Sequence, residues 1–221
     1  MRDTVEEAWS DVVETARRSV ADGLVVGRSG NVSARVGDLV LVTPTGVPYD
    51  RLGPDDAVAV DLADGRQVRG ALRPTSELQM HLAVYRATPA RAIVHTHAPH
   101  ATAVSTLVTE LPLIHYMAAA LGGQVLVAGY ELYGSDALAD EVLGALREDR
   151  TGCLMRNHGT LTYGDTLDEA YDRTAQLEWM CRVWLLARSA KDAGMPRTLT
   201  GRQLDRVTEK LKGYGQQAPP A

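Results

Sequence analysis

The residues His95-Thr96-His97 close the run Arg91-Ala-Ile-Val-His-Thr-His97, which reads as a buried strand. Side chains on a strand alternate faces, so His95 and His97 point to one side at a spacing suited to two nitrogens on one metal ion. An isolated His-x-His fits two unrelated histidines as well. His158 adds a third candidate from the tight turn Asn157-His158-Gly159, and a catalytic zinc takes three protein ligands and keeps one position open. The chain has six histidines, so a third by itself discriminates little. His81 reads as a histidine on a helix face, while His100 and His115 stay unassigned.

A second constellation is Pro74-Thr75-Ser76-Glu77. Two hydroxyls at a helix N-terminus, with free backbone N–H groups and the positive end of the helix dipole, form an anion site that needs no lysine. Taken alone, Glu77 is read more simply as a first-turn carboxylate favoured by that dipole. Ser29-Gly-Asn-Val-Ser33 and Thr43-Pro-Thr-Gly46 are turn-forming stretches that could cradle a phosphate or merely reverse the chain.

The elements that must position these residues follow from periodicity. Val5, Ala8, Trp9, Val12, Val13, Ala16 and Val20 recur at helical spacing after the capping-box pattern Thr4-x-x-Glu7. Short valine-rich runs at Leu39–Val42 and Ala57–Leu62 predict strands. A helix is expected from Thr75 or Ser76 to about Ala87, stopped by Pro89. Val125–Ala128 predicts another strand, Ser135–Leu146 a helix, and Cys153–Arg156 and Leu161–Tyr163 two extended segments flanking the His158 turn. A long helix begins at Thr166-x-x-Glu169, and residues 216–221 form a polar, proline-bearing tail expected to be mobile. With no internal repeat and no linker, residues 1–215 read as one mixed α/β domain with helices around a central sheet.

Composition narrows the classes. The 221 residues carry a net charge of -5 and a pI near 5.7, with mean hydropathy -0.15 and no block of Lys and Arg. A nucleic-acid or anionic-membrane surface is therefore disfavoured, and a bound phosphate must be held locally. The acidic N-terminus lacks the order of a signal peptide, and no run approaches the ~18 apolar residues of a membrane span. Cys153 and Cys181 are too few for a disulfide framework, which fits a reducing, cytoplasmic setting.

The order of the motifs is more specific than any one of them. Gly30-Asn-Val-Ser33, Thr43-Pro-Thr-Gly46, Pro74-Thr-Ser-Glu77, His95-Thr-His97, Ile114-His-Tyr-Met117 and Asn157-His-Gly159 run in the sequence and spacing of the class II aldolase/adducin family. The resemblance extends from the first helix to Lys212-Gly-Tyr-Gly215. It implies a single α/β/α layered domain with a central, mostly antiparallel sheet, assembled as a homotetramer with active sites between subunits.

The resemblance also implies an activity: cleavage of a ketose 1-phosphate, of the fuculose phosphate type, into dihydroxyacetone phosphate and a short aldehyde such as lactaldehyde or acetaldehyde. His95, His97 and His158 would hold Zn2+, or another divalent cation such as Mn2+ or Co2+, acting as a Lewis acid. Asn31, Thr45, Gly46, Thr75 and Ser76 would hold the substrate phosphate. Glu77 would be the acid/base, Tyr116 would reach in from a neighbouring subunit to the C4 oxygen, and Tyr214 would close over the site. Two positions that are aromatic walls of the aldehyde pocket in such enzymes fall at Tyr133 and Leu211. The chain has no phenylalanine, so that pocket is altered and a 5-deoxypentulose 1-phosphate becomes a candidate substrate. Other activities of the family are a pentulose-5-phosphate 4-epimerase, against which Glu77 argues, a methylthioribulose-1-phosphate dehydratase, and a non-catalytic adducin-like module.

Overall fold

The computed structural model describes residues 4–190 and 194–213, so Tyr214 and the 216–221 tail lie outside the described residues. Strands β1 (Asn31–Val36), β2 (Leu39–Val42), β3 (Ala59–Asp61), β4 (Gln67–Arg69), β5 (Ala92–Thr96), β6 (Val127–Ala128), β7 (Gly152–Met155) and β8 (Gly159–Gly164) form one sheet. Its order is β4-β3-β2-β1-β5-β8-β7-β6. Every neighbouring pair is antiparallel except β6 with β7. The expected mostly antiparallel sheet is therefore present.

Helices cover both faces because the strands are apolar on both. On one side α1 (Val5–Ala21), α3 (Pro99–Ser105), α5 (Leu167–Ser189) and α6 (Gly201–Leu211) pack with Val32, Val94 and Leu154. On the other, α2 (Leu78–Ala87) and α4 (Asp136–Ala145) bury Met80, Leu82, Leu138 and Val142 against Ile93 and Leu161. Each such fully buried side chain contributes roughly 1.5–3 kcal/mol by removal from water. Thr4 caps α1 by accepting from the Glu7 N–H at 3.2 Å, and Thr166 caps α5 by accepting from Glu169 at 3.1 Å.

Three expectations are corrected. Asn31–Ser33 is not a turn but the opening of β1, which pairs with β5 so that Asn31 lies opposite His95. α2 starts at Leu78, later than expected, with Glu77 as its N-cap residue and no side-chain cap bond. Glu77 is therefore not spent on its own helix. Val20, placed on the apolar face of α1 by periodicity, is 42% exposed.

The strand register depends on backbone approaches that a side chain would block. Gly30 adopts φ +77, and a Cβ there would lie 2.6 Å from the His95 carbonyl oxygen. At Gly159 a Cβ would lie 2.0 Å from the Thr96 carbonyl oxygen, at the tip of the hairpin that carries His158. Gly159→Ala is predicted to force β8 away from β5 at a cost of roughly 1–3 kcal/mol, the range for overpacking a tight interior. Urea denaturation should show a lower midpoint with an unchanged m-value.

Candidate active site

Four side chains converge at the junction of β1, β5, β8 and the start of α2. Ligand-capable atoms of Glu77, His95, His97 and His158 all lie within 4.8 Å of one another. Ile93, His95 and His97 alternate onto the face that α2 covers, and the β7–β8 turn swings His158 to the same point. Asn157 holds that turn with φ 55, a left-handed conformation that asparagine tolerates. The rings stand nearly edge to face, with centroids 4.7 to 5.0 Å apart.

The hydrogen bonds define which atoms point inward. His95 Nδ1 donates to the Thr160 carbonyl at 2.7 Å, so Nε2 is the nitrogen left for the centre. That Nε2 is 3.1 Å from Glu77 Oε2 and 3.2 Å from His97 Nε2. His158 Nε2 lies 3.3 Å from Glu77 Oε1, and this carboxylate oxygen is buried without a hydrogen-bond partner among the described residues. Burial and the neighbouring His95 and His158 push the His97 imidazole down to about 3. Burial and His95 push His158 down to about 4. Both rings are thus neutral, with lone pairs to offer.

Burial alone would raise the Glu77 carboxyl, but His95 foremost, then His158 and Asn31, outweigh it and hold it well below the usual carboxylate range. Burial likewise opposes a charge on His95, and Glu77 with the Thr160 carbonyl overcomes it, moving that ring upward. A buried carboxylate facing three imidazole nitrogens calls for a positive charge at the centre. Three imidazoles and a carboxylate with an orphaned oxygen are a donor set that fits a divalent cation of the zinc type. The fixing of His95 by a backbone carbonyl through its far nitrogen is the usual support for a metal-ligating histidine.

A cleft of 320 Å³ opens beside this cluster, lined among others by Asn31, Thr45, Gly46, Thr75, Ser76 and Glu77. The expected phosphate cradle is thus brought together by two loops stitched to each other. Thr45 N–H donates to the Arg73 carbonyl and Thr75 N–H to the Thr43 carbonyl, both at 3.1 Å. Arg28, which the sequence did not single out, also lines the cleft and donates from Nη1 to the Gly46 carbonyl at 2.9 Å. It is the one arginine or lysine among the lining residues. Its signal was its place two residues before Gly30.

Tyr133 lines the same cleft and is 64% exposed. Tyr116 and Leu211 do not; they line a separate groove with Trp179 and Lys210. Tyr214 lies outside the described residues. His100 is tied to Glu178 at 2.6 Å, and His115 accepts from the Met117 N–H at 3.3 Å, so neither joins the cluster. His81 is corrected from a plain helix-face residue to a fully buried one, hydrogen-bonded to Asn31 and Ser33.

The comparisons agree with this architecture. Residues 10–185 match the family described as Class II Aldolase and Adducin N-terminal domain. A 5-deoxy-D-ribulose 1-phosphate aldolase of Bacillus thuringiensis serovar kurstaki is 33% identical over 96% of this chain and 99% of its own. An L-fuculose phosphate aldolase of Escherichia coli K12 is 36% identical over 92% of this chain and 94% of its own. A solved L-fuculose 1-phosphate aldolase superposes with a TM-score of 0.87 at 32% identity, covering 93% of this chain and 96% of that one. The chain belongs to the class II aldolase/adducin family. Within it, the chain is an enzyme of the metal-dependent aldolase kind.

Replacing His95, His97 or His158 with alanine is predicted to lower divalent-metal affinity by more than the roughly 10–100-fold lost when outer partners of a metal site are removed. Metal analysis after gel filtration should find about one ion per chain in the wild type and little in each variant.

Proposed function

We propose that this enzyme is a zinc-dependent ketose-1-phosphate aldolase that reversibly releases dihydroxyacetone phosphate and a short aldehyde. The observation that carries the reading is the adjacency of a three-histidine, one-carboxylate cluster to a cleft of small hydroxyl, amide and glycine residues with one arginine. One end suits a divalent cation and the other a phosphate, a few bonds apart on one small substrate. When bound by His95, His97 and His158, the cation supplies Lewis-acid stabilisation of the negative charge left when the C3–C4 bond breaks.

The chain's own residues divide the remaining work. Asn31, Thr45, Gly46, Thr75 and Ser76 hold the phosphate through neutral donors, and the Arg28 guanidinium supplies a positive charge beside it. In cleavage the C4 hydroxyl gives up its proton as the aldehyde forms. The C3–C4 electron pair stays with the three-carbon fragment, and Glu77, which enters this direction as the carboxylic acid, delivers its proton to C3 and leaves as the carboxylate. In synthesis Glu77 takes that proton back. Its place between the phosphate cradle and the histidines puts it at the three-carbon end of the substrate.

Tyr116 is the residue proposed to exchange a proton with the C4 oxygen. It is 49% exposed in a groove that is not the cleft, so this role goes with the proposed homotetramer, in which a neighbouring subunit would bring it to the cleft. Tyr214 would close over the bound substrate. At the two positions of the aldehyde pocket's aromatic walls Tyr133 keeps a ring with a hydroxyl and Leu211 puts an aliphatic side chain, which alters that pocket, and the named activities of the relatives support 5-deoxypentulose 1-phosphates alongside fuculose phosphate. No helix among the described residues is long and apolar enough to cross a membrane, which is compatible with the cytoplasmic location proposed here.

The test needs no aldehyde. With zinc bound, incubation with dihydroxyacetone phosphate in D2O should exchange one C3 hydrogen stereospecifically, followed by NMR. Glu77→Gln should slow that exchange by roughly 10²–10⁴-fold, the usual contribution of a positioned acid/base. Wild-type protein with zinc bound and no exchange would contradict the aldolase reading.

A further inference from the structure

Beneath the cluster lies a chain of buried polar groups of which His81, Ser33 and Tyr85 have no part in the reaction scheme above. Asn31 Nδ2 donates to Glu77 Oε2 at 2.9 Å, and Asn31 Oδ1 meets His81 Nε2 on the other side. His81 Nδ1 is 2.7 Å from Ser33 Oγ, which is 2.8 Å from Tyr85 Oη. His81 and Ser33 are wholly buried, and Asn31 and Tyr85 are 3% and 2% exposed.

With His81 neutral, as its complete burial favours, only one set of proton positions satisfies this chain. An ionised carboxylate accepts and cannot donate, so Asn31 must present its NH2 group to Glu77. Its carbonyl oxygen then faces His81 and requires a donor there, which places the His81 proton on Nε2. Nδ1 is left as an acceptor for the Ser33 hydroxyl, and Ser33 in turn accepts from Tyr85. Reversing any member would leave two buried acceptors, or two donors, face to face.

Resting on the aldolase reading, we propose that His81 is a positioning residue. It locks the Asn31 amide in the orientation that donates to Glu77, anchoring Oε2 and leaving Oε1 as the oxygen that carries the proton to and from C3. The two oxygens differ in the way this requires: Oε2 is held by Asn31, and Oε1 is buried with no hydrogen-bond partner among the described residues. The geometry is built in by spacing. Glu77, His81 and Tyr85 are four residues apart, Asn31 and Ser33 share a face of β1, and the two rows interlock.

Two measurements decide it. Long-range proton–nitrogen NMR of the wild-type histidine rings, with His81 identified by its loss in His81→Gln, should show hydrogen on Nε2 and a bare Nδ1. His81→Leu should keep its metal content and its KM within about 2-fold while kcat falls by about 10–100-fold, the range for removing an outer partner of a metal-site residue. His81→Gln, whose amide can still donate to Asn31, should recover most of that loss. A proton on Nδ1 would overturn the proposal, as would wild-type kcat in His81→Leu or equal losses in both variants with a lowered thermal midpoint. If wild-type protein fails to exchange the C3 hydrogen, the aldolase reading falls, and the ring tautomer still decides whether His81 orients Asn31.

Discussion

A buried electrostatic conflict organises this molecule: three imidazoles and a carboxylate turn lone pairs toward one point inside the fold. Such a meeting is unfavourable unless a positive charge sits among them, so the surrounding structure must hold the donors in place against their repulsion. It does so mainly with backbone. The β1–β5–β8 ladder sets Asn31 opposite His95 and joins His95 to Thr160, while the glycines at 30 and 159 let the strands come that close. His95 sits on β5, His97 directly follows that strand, His158 occupies the short β7–β8 turn and Glu77 the N-cap of α2, so each donor is anchored by a regular element and has little freedom to relax away from the conflict.

Much of this was legible in the sequence because the relevant rules are local. The alternation of a strand puts His95 and His97 on one side, and the turn residues of Asn157-His158-Gly159 mark a hairpin tip. What was not legible depends on partners far along the chain. Asn31 reads as part of a glycine-rich turn until β5 is beside it, and then it is a strand residue. Glu77 reads as a dipole-compensating carboxylate because that is what most acids at a helix start do. Its surroundings are set by His95 and His158, 18 and 81 residues away. His81 gave a signal, a four-residue spacing from Glu77 and to Tyr85, which has meaning only once β1 supplies the intervening Asn31 and Ser33.

The same division separates the two halves of the proposed substrate site. The metal and phosphate end is complete within one chain, tied together by the bonds between the 43–46 and 73–76 loops and by Arg28. The aldehyde end is not: Tyr133 lies at the cleft, whereas Tyr116 and Leu211 lie in another groove. A scaffold of this kind can keep one chemistry constant while substitutions at the open end change which aldehyde is accepted. That division is consistent with relatives of similar identity being named for different sugar phosphates.

The central claim is that the converging donors hold one divalent cation. A crystal of zinc-loaded protein, with diffraction recorded on either side of the zinc absorption edge, tests this directly. The account predicts one strong anomalous peak per chain bonded to the Nε2 atoms of His95, His97 and His158, with Glu77 beside it. No peak at that point, with zinc found instead at surface carboxylates or the buried cysteines, would contradict it.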